Sequence, residues 1–202
     1  MELLIASRNT FKIGELRKVL EEMLPHVRIR SLLEYPDLFP PTFEHQSFEQ
    51  NAIDKATFVA RMTNLPSLSD ESGLIVPYLG GYAASMQAKG LQPSGIKLPD
   101  FKKILTGLQG VEETQRAAFL ECAIAFSCPE KGLIKSTTSR LEGYIATGEF
   151  GPASFDFASI FVKNEYSKTL AAMPQSVLER ISHRRKACEK LRAVLCSYFV
   201  QQ

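Results

Sequence analysis

Short apolar runs alternate with helical repeats along the first third of this chain, and a long hairpin occupies its middle. Runs rich in apolar and β-branched residues predict strands at residues 2–6, 27–31, 67–69, 74–79, 117–128, 133–145 and 160–162. Apolar residues that recur every three or four positions predict helices at residues 10–24, 48–62, 101–108 and 184–198. Strand–helix alternation favours parallel strands, whereas the hairpin that turns at Pro129-Glu-Lys-Gly132 adds antiparallel ones. The predicted fold is therefore α/β, a mixed sheet with flanking helices.

Length and composition bound the kind of protein. The 202 residues give room for one substantial domain, or for two lobes that share a core. The net charge of +2 is too small to favour nucleic-acid binding, and no apolar run is long enough to span a bilayer. The N-terminal segment lacks the features of a secretory signal, which predicts a cytoplasmic protein. Free, buried thiols are expected for the four cysteines, Cys122, Cys128, Cys188 and Cys196.

An acidic doublet, Asp70 and Glu71, is the most informative motif. It closes a short apolar run and enters a predicted turn at Gly73. Adjacent carboxylates repel each other, so such a pair is expected on an open surface or beside a cation. Mg²⁺ is the cation that fits best, because it takes oxygen ligands and usually arrives with substrate phosphates. The alternative is a solvated turn, which residues of these types favour.

Two helical segments offer candidate phosphate contacts. The first junction between strand and helix carries Ser7, Arg8, Asn9 and Lys12, and the helix dipole favours an anion there. A simple capped helix start is the alternative. On the second helix, Asn51 and Lys55 are four residues apart and share a face. That face either contacts phosphate and metal or is a solvated polar surface.

Three later segments are candidates for contacts with a nucleotide. Phe155 and Phe157, in a glycine-containing loop, could stack on a base, although phenylalanine is more often a core residue. Lys168 is a candidate cation. His183 and Arg184 open the last predicted helix, where positive charge opposes the dipole unless an anion offsets it. A basic solvated face is the alternative for this segment.

Four segments occur in an order that resembles a known family. They are Ala6-Ser-Arg-Asn9 with Lys12 and Glu15, Phe48-Glu-Gln-Asn-Ala52 with Lys55, Asp70-Glu-Ser-Gly-Leu-Ile-Val76, and Ser182-His-Arg184. They are similar to Ala-Thr-Gly-Asn-x-x-Lys-x-x-Glu, Phe-x-Glu-Asn-Ala-x-x-Lys-Ala, Asp-Asp-Ser-Gly-Leu-x-Val and the C-terminal Ser-His-Arg of the inosine triphosphatase family. Its members are also called Ham1-like non-canonical purine nucleoside triphosphate pyrophosphatases. The resemblance spans nearly the whole chain.

The resemblance implies one domain over residues 1–202, elongated, with two lobes around a cleft, usually a homodimer. It implies Mg²⁺-dependent hydrolysis of inosine, deoxyinosine and xanthosine triphosphates to the monophosphate and pyrophosphate. Asp70 would place Mg²⁺ together with Glu71, and Glu71 would stand at the position of the general base. The remaining residues would bind the substrate: Ser7, Asn9, Lys12, Asn51, Lys55, Ser72, Phe155, Phe157, Lys168, His183 and Arg184.

Several departures from the family pattern leave the activity open. A glutamate of the pattern is Gln50 here, an arginine is Gln87, and an aspartate is Ala158. The second acid of the doublet is Glu71 rather than aspartate, which displaces the carboxylate by about one bond length. Misplacement of about 1 Å can lower a rate on the order of 100-fold. One alternative is an impaired relative that binds a nucleotide or a partner with little turnover. The other is a Maf-like pyrophosphatase that prefers different nucleotides.

Overall fold

The structure is a computed structural model that describes residues 1–43, 45, 47–80, 100–152 and 157–200. Within these residues six strands form one sheet in the order β2–β1–β3–β4–β5–β6. The strands are β1 (Glu2–Ile5), β2 (Arg28–Ser31), β3 (Ser67–Ile75), β4 (Ala117–Cys128), β5 (Gly132–Ile145) and β6 (Phe161–Lys163). The helices are α1 (Thr10–Met23), α2 (Phe48–Thr63), α3 (Asp100–Gly107), α4 (Gln175–Ile181), α5 (His183–Glu189) and α6 (Arg192–Val200).

The sheet is mixed, as predicted. β1 pairs in parallel with β2, with Leu3 opposite Ile29, and in parallel with β3, with Ile5 opposite Leu68. β5 and β6 are antiparallel, with Tyr144 opposite Val162. The chain leaves β1 through α1 to reach β2 on one side, and returns through α2 to β3 on the other side. The predicted α/β class with a mixed sheet and flanking helices is therefore confirmed.

The first two helices follow the local signals of their sequences. Asn9 caps α1, because its side chain accepts hydrogen bonds from the backbone N–H groups of Phe11 and Lys12. Ser47 caps α2 in the same way through the N–H of Gln50. The inward faces are fully buried, at Leu16 and Leu20 on α1 and at Ala52, Ala56, Val59 and Ala60 on α2.

The chain divides into two compact units. The first comprises Met1–Ser72, Cys122–Ser139 and His183–Gln202. Its main core packs side chains of β1, α1 and β4 against the C-terminal helices, with Leu3, Ile124 and Leu195 fully buried. A smaller cluster of Leu4, Ala6, Leu32 and Val59 lies in the same unit. The three cysteines Cys122, Cys128 and Cys188 are buried free thiols, and Cys196 is a half-buried one.

The second unit comprises Gly73–Glu121 and Arg140–Ser182. Its core contains Leu74, Ile104, Leu108, Phe161 and Leu170, among others. The guanidinium of Arg116 is buried in this unit. It donates to the carbonyl oxygens of Ile145, Leu108 and Ala146, at 2.7, 2.7 and 2.5 Å. None of the helices in the described ranges is long and apolar enough to cross a membrane.

The predicted secondary structure is wrong in two regions, around the acidic doublet and near the C-terminus. The separate strands at 67–69 and 74–79 form one strand, β3, which continues to Ile75 before the short 3-10 helix Pro77–Leu79. Gly73 makes no turn, so the acidic doublet lies inside a strand. The single C-terminal helix at 184–198 is two helices, α5 and α6, which break at Lys190 and Leu191, and α4 was not predicted.

Candidate active site

Alternation along β3 separates the acidic doublet. Successive side chains of a strand point to opposite faces of its sheet. Asp70 and Ser72 both contact Arg184 of α5. Ser69 and Glu71 instead contact α2, where the Ser69 hydroxyl donates to the carbonyl oxygen of Ala52 at 2.5 Å. The two adjacent acids therefore have different partners and different surroundings.

Asp70 is a fully buried carboxylate between two cations. Lys12 Nζ lies 2.8 Å from its Oδ1, and Arg184 Nε donates to its Oδ2 at 2.9 Å. The Cys122 thiol also donates to Oδ2 at 3.5 Å. Burial opposes charge on Asp70, but Lys12 and Arg184 outweigh it and hold the pKa of Asp70 well below its usual range. Asp70 is therefore ionised near pH 7.

The Arg184 guanidinium connects three elements. Besides Asp70, it donates to Ser72 Oγ at 3.0 Å and to the carboxylate of Glu15 on α1. Burial lowers its pKa, but Asp70 and Glu15 outweigh that effect, and the pKa of Arg184 is raised. The positive charge at the start of α5 is thus offset by carboxylates of the protein itself, and no bound anion is needed.

His183 precedes Arg184 at the start of α5 and is half-buried. Burial and the neighbouring charge of Arg184 lower the pKa of His183 to about 3. Its imidazole is therefore neutral near pH 7. A neutral imidazole has one N–H donor and one acceptor nitrogen, the pattern suited to reading the edge of a base.

The second carboxylate of the doublet pairs with the second helix. Lys55 Nζ donates to Glu71 Oε1 at 2.8 Å, and both side chains are partly exposed. Asn51 was predicted to contact phosphate and metal from the same helix face as Lys55, and in this structure it contacts His45. Its Oδ1 accepts from the N–H of His45 at 3.0 Å, and its Nδ2 donates to the carbonyl of His45 at 3.2 Å. Asn51 therefore holds the segment that enters α2.

The charged residues described so far, Asp70, Glu71, Glu15, Lys12, Lys55 and Arg184, form the charged cluster. The turn between β1 and α1 precedes Lys12 in the chain. Ser7 is buried, and its Oγ accepts from the N–H of Asn9 at 3.2 Å. The Asn9 side chain caps Phe11 and Lys12, so the capped helix start is the arrangement present. The turn follows the carboxyl end of β1, where the strand order reverses, because β2 and β3 lie on opposite sides of β1. Open α/β sheets bind ligands at such a switch point.

The remaining predicted contacts are either in the second unit or outside the described residues. Phe157 and Lys168 belong to the second unit, where Phe157 is part of the core and Lys168 is exposed. Phe155 and Gln87 lie outside the described residues. Gln50, which replaces a glutamate of the family pattern, donates from Nε2 to Asp54 at 2.9 Å. The roles predicted for these residues remain predictions.

Two residues of this site were not predicted as site residues. Glu15 is three positions after Lys12 on α1, so helical spacing could have indicated that the two side chains share a face. Its partner Arg184 is 169 residues away, which no local pattern reveals. Cys122 gave no signal beyond its place in an apolar strand.

The carboxylates of this site are the side chains that could bind Mg²⁺. Within the described ranges, no three His, Cys, Asp or Glu side chains are grouped so that they could hold a metal ion. Asp70 Oδ1 is buried and, among the described residues, accepts no well-aligned hydrogen bond, although Lys12 lies beside it. One or two carboxylates with substrate phosphates are a common Mg²⁺ site. Asp70 fits this arrangement; ligation of the same ion by Glu71 stays a prediction, because Glu71 has other surroundings.

Fold and site together define a mixed α/β protein with three carboxylates and three cations clustered beside a sheet switch point. The Ham1 family model matches residues 3–194. The dITP/XTP pyrophosphatase of Protochlamydia amoebophila is 37% identical over 198 residues, which cover 96% of this chain and 98% of that protein. The enzyme of the same name from Bacillus licheniformis is 33% identical over 196 residues, covering 96% and 97%. The chain therefore belongs to the Ham1 family.

Solved structures agree with this assignment. The Ham1 protein of Staphylococcus aureus has a TM-score of 0.80 at 29% identity, and the match covers 98% of this chain and all of that one (100%). A HAM1 protein from Coxiella burnetii has a TM-score of 0.81 at 26% identity, covering 98% and 99%. The family resemblance inferred from the sequence motifs is confirmed.

Proposed function

We propose that this protein hydrolyses non-canonical purine nucleoside triphosphates, namely dITP, XTP and ITP, to the monophosphate and pyrophosphate, with Mg²⁺. Relatives named dITP/XTP pyrophosphatase cover nearly all of the chain and support the substrate class. The observation that carries the proposal is the buried carboxylate of Asp70 held between Lys12 and Arg184, next in sequence to the Lys55–Glu71 pair.

The charges of the cluster indicate how a triphosphate would bind. Lys12, Lys55 and Arg184 carry positive charge, but in the free protein each of them already contacts a carboxylate. A triphosphate would compete with Asp70 for Lys12 and with Glu71 for Lys55. The three acids balance the three cations, so the triphosphate must bring positive charge with it. This supports binding of the nucleotide as its Mg²⁺ complex.

Asp70 would hold the ion once Lys12 turns to the phosphates, because its Oδ1 lacks a well-aligned hydrogen bond. When bound, Mg²⁺ would neutralise charge on the phosphate oxygens and on the leaving pyrophosphate. Phosphoryl transfer depends mainly on positioning and charge stabilisation. Lys12 and Arg184 would supply much of both.

Glu71 would act as the general base. Its carboxylate is partly exposed and therefore accessible to water, and transfer of Lys55 to the phosphates would free it to accept a proton. A water molecule oriented by Glu71 attacks the α-phosphorus and gives its proton to the carboxylate. The bond from the α-phosphorus to the bridging oxygen breaks, and pyrophosphate leaves with that oxygen.

The neutral His183 would contribute to base selection. Its single N–H can donate to the O6 atom of a 6-keto purine, whereas the amino group of adenine would face it as a second donor. Sites that pair with one polar group discriminate strongly against analogues that leave it unpaired. Phe155, Phe157 and Lys168 are proposed as further contacts to the base. We also propose that the protein is a homodimer in the cytoplasm, which size-exclusion chromatography and cell fractionation would test.

The experiment measures pyrophosphate release with Mg²⁺ from the triphosphates of inosine, xanthosine, adenosine, guanosine and thymidine. Hydrolysis in ¹⁸O-labelled water locates the attack, since the label enters the monophosphate only if the α-phosphorus is attacked. Glu71→Gln should abolish release. The matched control is Glu49→Gln, because Glu49 is on α2 and instead accepts from Ser136 Oγ at 2.6 Å.

Three outcomes contradict the proposal. Saturable nucleotide binding without release would identify an impaired relative. A preference for thymidine triphosphate would favour a Maf-like pyrophosphatase. Equal activity of Glu71→Gln and Glu49→Gln would exclude Glu71 as the base.

A further inference from the structure

Arg8 is bound to a loop of the protein through one nitrogen of its guanidinium group. Its Nη2 donates to three backbone carbonyl oxygens, of Tyr35 at 2.6 Å, Pro36 at 3.0 Å and Leu38 at 3.1 Å. Its guanidinium carbon lies 4.5 Å from the centre of the Phe39 ring. One side chain thus contacts four consecutive or near-consecutive residues of the segment 35–39. In the family pattern that the sequence resembles, this position is glycine.

The segment 35–39 has few backbone hydrogen bonds of its own: among those between described residues, the N–H of Leu38 donates to the carbonyl of Tyr35 at 3.2 Å. Pro36 lacks an N–H, and Pro40 and Pro41 follow directly, so this stretch cannot form a regular ladder of backbone hydrogen bonds. Tyr35 and Leu38 pack against the small cluster of Leu4, Ala6, Leu32 and Val59. Arg8 adds polar contacts to these apolar ones, because it donates to the carbonyl oxygens of Tyr35, Pro36 and Leu38.

Arg8 is also the central residue of the turn that leads to Lys12. Ser7, before it, accepts from the N–H of Asn9, after it, and Asn9 caps the first turn of α1. The segment held by Arg8 lies between β2 and α2 in the chain, and α2 carries Lys55. One side chain therefore ties the turn before the first phosphate-binding lysine to the chain that leads to the second.

We propose that Arg8 is a positioning residue for the triphosphate. It acts through the backbone of Ser7 and Asn9 and through the segment 35–39, so that Lys12 and Lys55 are held at the spacing that a triphosphate needs. This inference rests on the proposed function for its choice of ligand. Loss of Arg8 should weaken binding of the ground state and of the transition state equally, which raises KM and leaves kcat unchanged.

The test compares Arg8→Met with the wild type. Methionine keeps most of the side-chain volume and removes every donor. The dissociation constant of inorganic tripolyphosphate is measured with Mg²⁺ by calorimetry, and KM and kcat are measured with inosine triphosphate. We expect both the dissociation constant and KM to rise about tenfold and kcat to change by less than about twofold.

The matched control is Arg140→Met. Arg140 also stacks on a phenylalanine, with its guanidinium carbon 5.7 Å from the centre of the Phe119 ring, and it pairs with Glu121 in the second unit. This substitution should leave tripolyphosphate binding and KM unchanged. A melting temperature lowered in Arg8→Met without a change in tripolyphosphate binding would overturn the inference, because it would show a purely structural role.

Two milder variants decide the case if Arg8→Met does not fold. Arg8→Lys keeps the charge and some donors, and Phe39→Leu removes only the ring contact. Each should weaken tripolyphosphate binding about threefold, and wild-type binding in both overturns the inference. If the wild type releases no pyrophosphate but Arg8→Met still weakens tripolyphosphate binding, the proposed function fails and the role of Arg8 stands. If the wild type releases pyrophosphate normally but Arg8→Met leaves tripolyphosphate binding unchanged, the proposed function stands and the role of Arg8 fails.

Discussion

Replacing Asp70 by asparagine should lower the stability of the protein more than replacing its neighbour Glu71 by glutamine. The side chain of Asp70 is fully buried, with Lys12 at 2.8 Å and Arg184 at 2.9 Å. Asparagine keeps the shape and removes the charge that both cations face. Removal of one partner from a buried ion pair costs about 3–5 kcal/mol, because the remaining charge is left uncompensated.

The low end of that range applies here. Arg184 keeps its contacts with Glu15 and Ser72, and the Lys12 side chain is 18% exposed and can reach water. We therefore expect a loss of about 3 kcal/mol in the free energy of unfolding. For a chain of this size, each kcal/mol shifts the melting temperature by about 2–4 °C, so Asp70→Asn should melt about 6–12 °C below the wild type.

The assay is thermal and urea unfolding without Mg²⁺ or nucleotide, with Glu71→Gln as the matched control. Glu71 and Lys55 are 16% and 22% exposed, so this second ion pair should contribute only about 1 kcal/mol. Tripolyphosphate should restore more stability to Asp70→Asn than to the wild type, since it can replace the lost negative charge. Equal stability of the two variants, or a loss below about 0.5 kcal/mol in Asp70→Asn, would refute the reasoning.

Acid titration is a second test of the contribution of Asp70 to stability. The pKa of Asp70 is depressed in the folded protein, while an unfolded aspartate titrates near about 3.9. Its contribution is therefore complete above about pH 4 and is lost as the pH falls toward the folded value. Below pH 4 the wild type should lose up to about 1.4 kcal/mol per pH unit relative to Asp70→Asn.

Three other substitutions test separate parts of the structure. Burial and Arg184 lower the pKa of His183 to about 3, so between about pH 6.5 and 4 only the unfolded state takes up a proton at this residue. In urea unfolding, His183→Asn should therefore lose less stability than the wild type as the pH falls through this range. Arg116→Met should cost about 3 kcal/mol in the same assay, since it removes three buried hydrogen bonds to backbone carbonyl oxygens, and unchanged unfolding would contradict this. Gly143→Ala should lower the melting temperature by several degrees, about 1–3 kcal/mol, because its new Cβ would lie 2.1 Å from the carbonyl oxygen of Val162.

Local sequence patterns were sufficient for the elements that build the first unit. The spacing of Leu16 and Leu20 on α1, and of Ala52 and Ala56 on α2, reports directly which face is buried, because amphipathic helices expose one face and bury the other. The same kind of pattern failed at Gly73. Glycine after an acidic pair favours a turn, but pairing inside the sheet keeps this residue extended.

The site could be predicted only in part from the sequence. Motif order brought Lys12, Lys55 and the doublet together, and the structure places each lysine 2.8 Å from one acid. The separation of Asp70 from Glu71 depends on the strand being continuous, which the predicted turn concealed. Arg184 contacts Asp70 across 114 residues of chain, and such long-range pairing follows from the tertiary fold alone.

The opposite orientation of the two neighbouring acids makes their surroundings sensitive to strand register. A shift of β3 by a single residue would turn each carboxylate toward the partners of the other. Deleting one residue between Ser67 and Asp70 would thus exchange a buried acid for a half-exposed one while every charged side chain stayed in the protein. The length of this short segment is therefore as strict a requirement for the cluster as the identity of its acids.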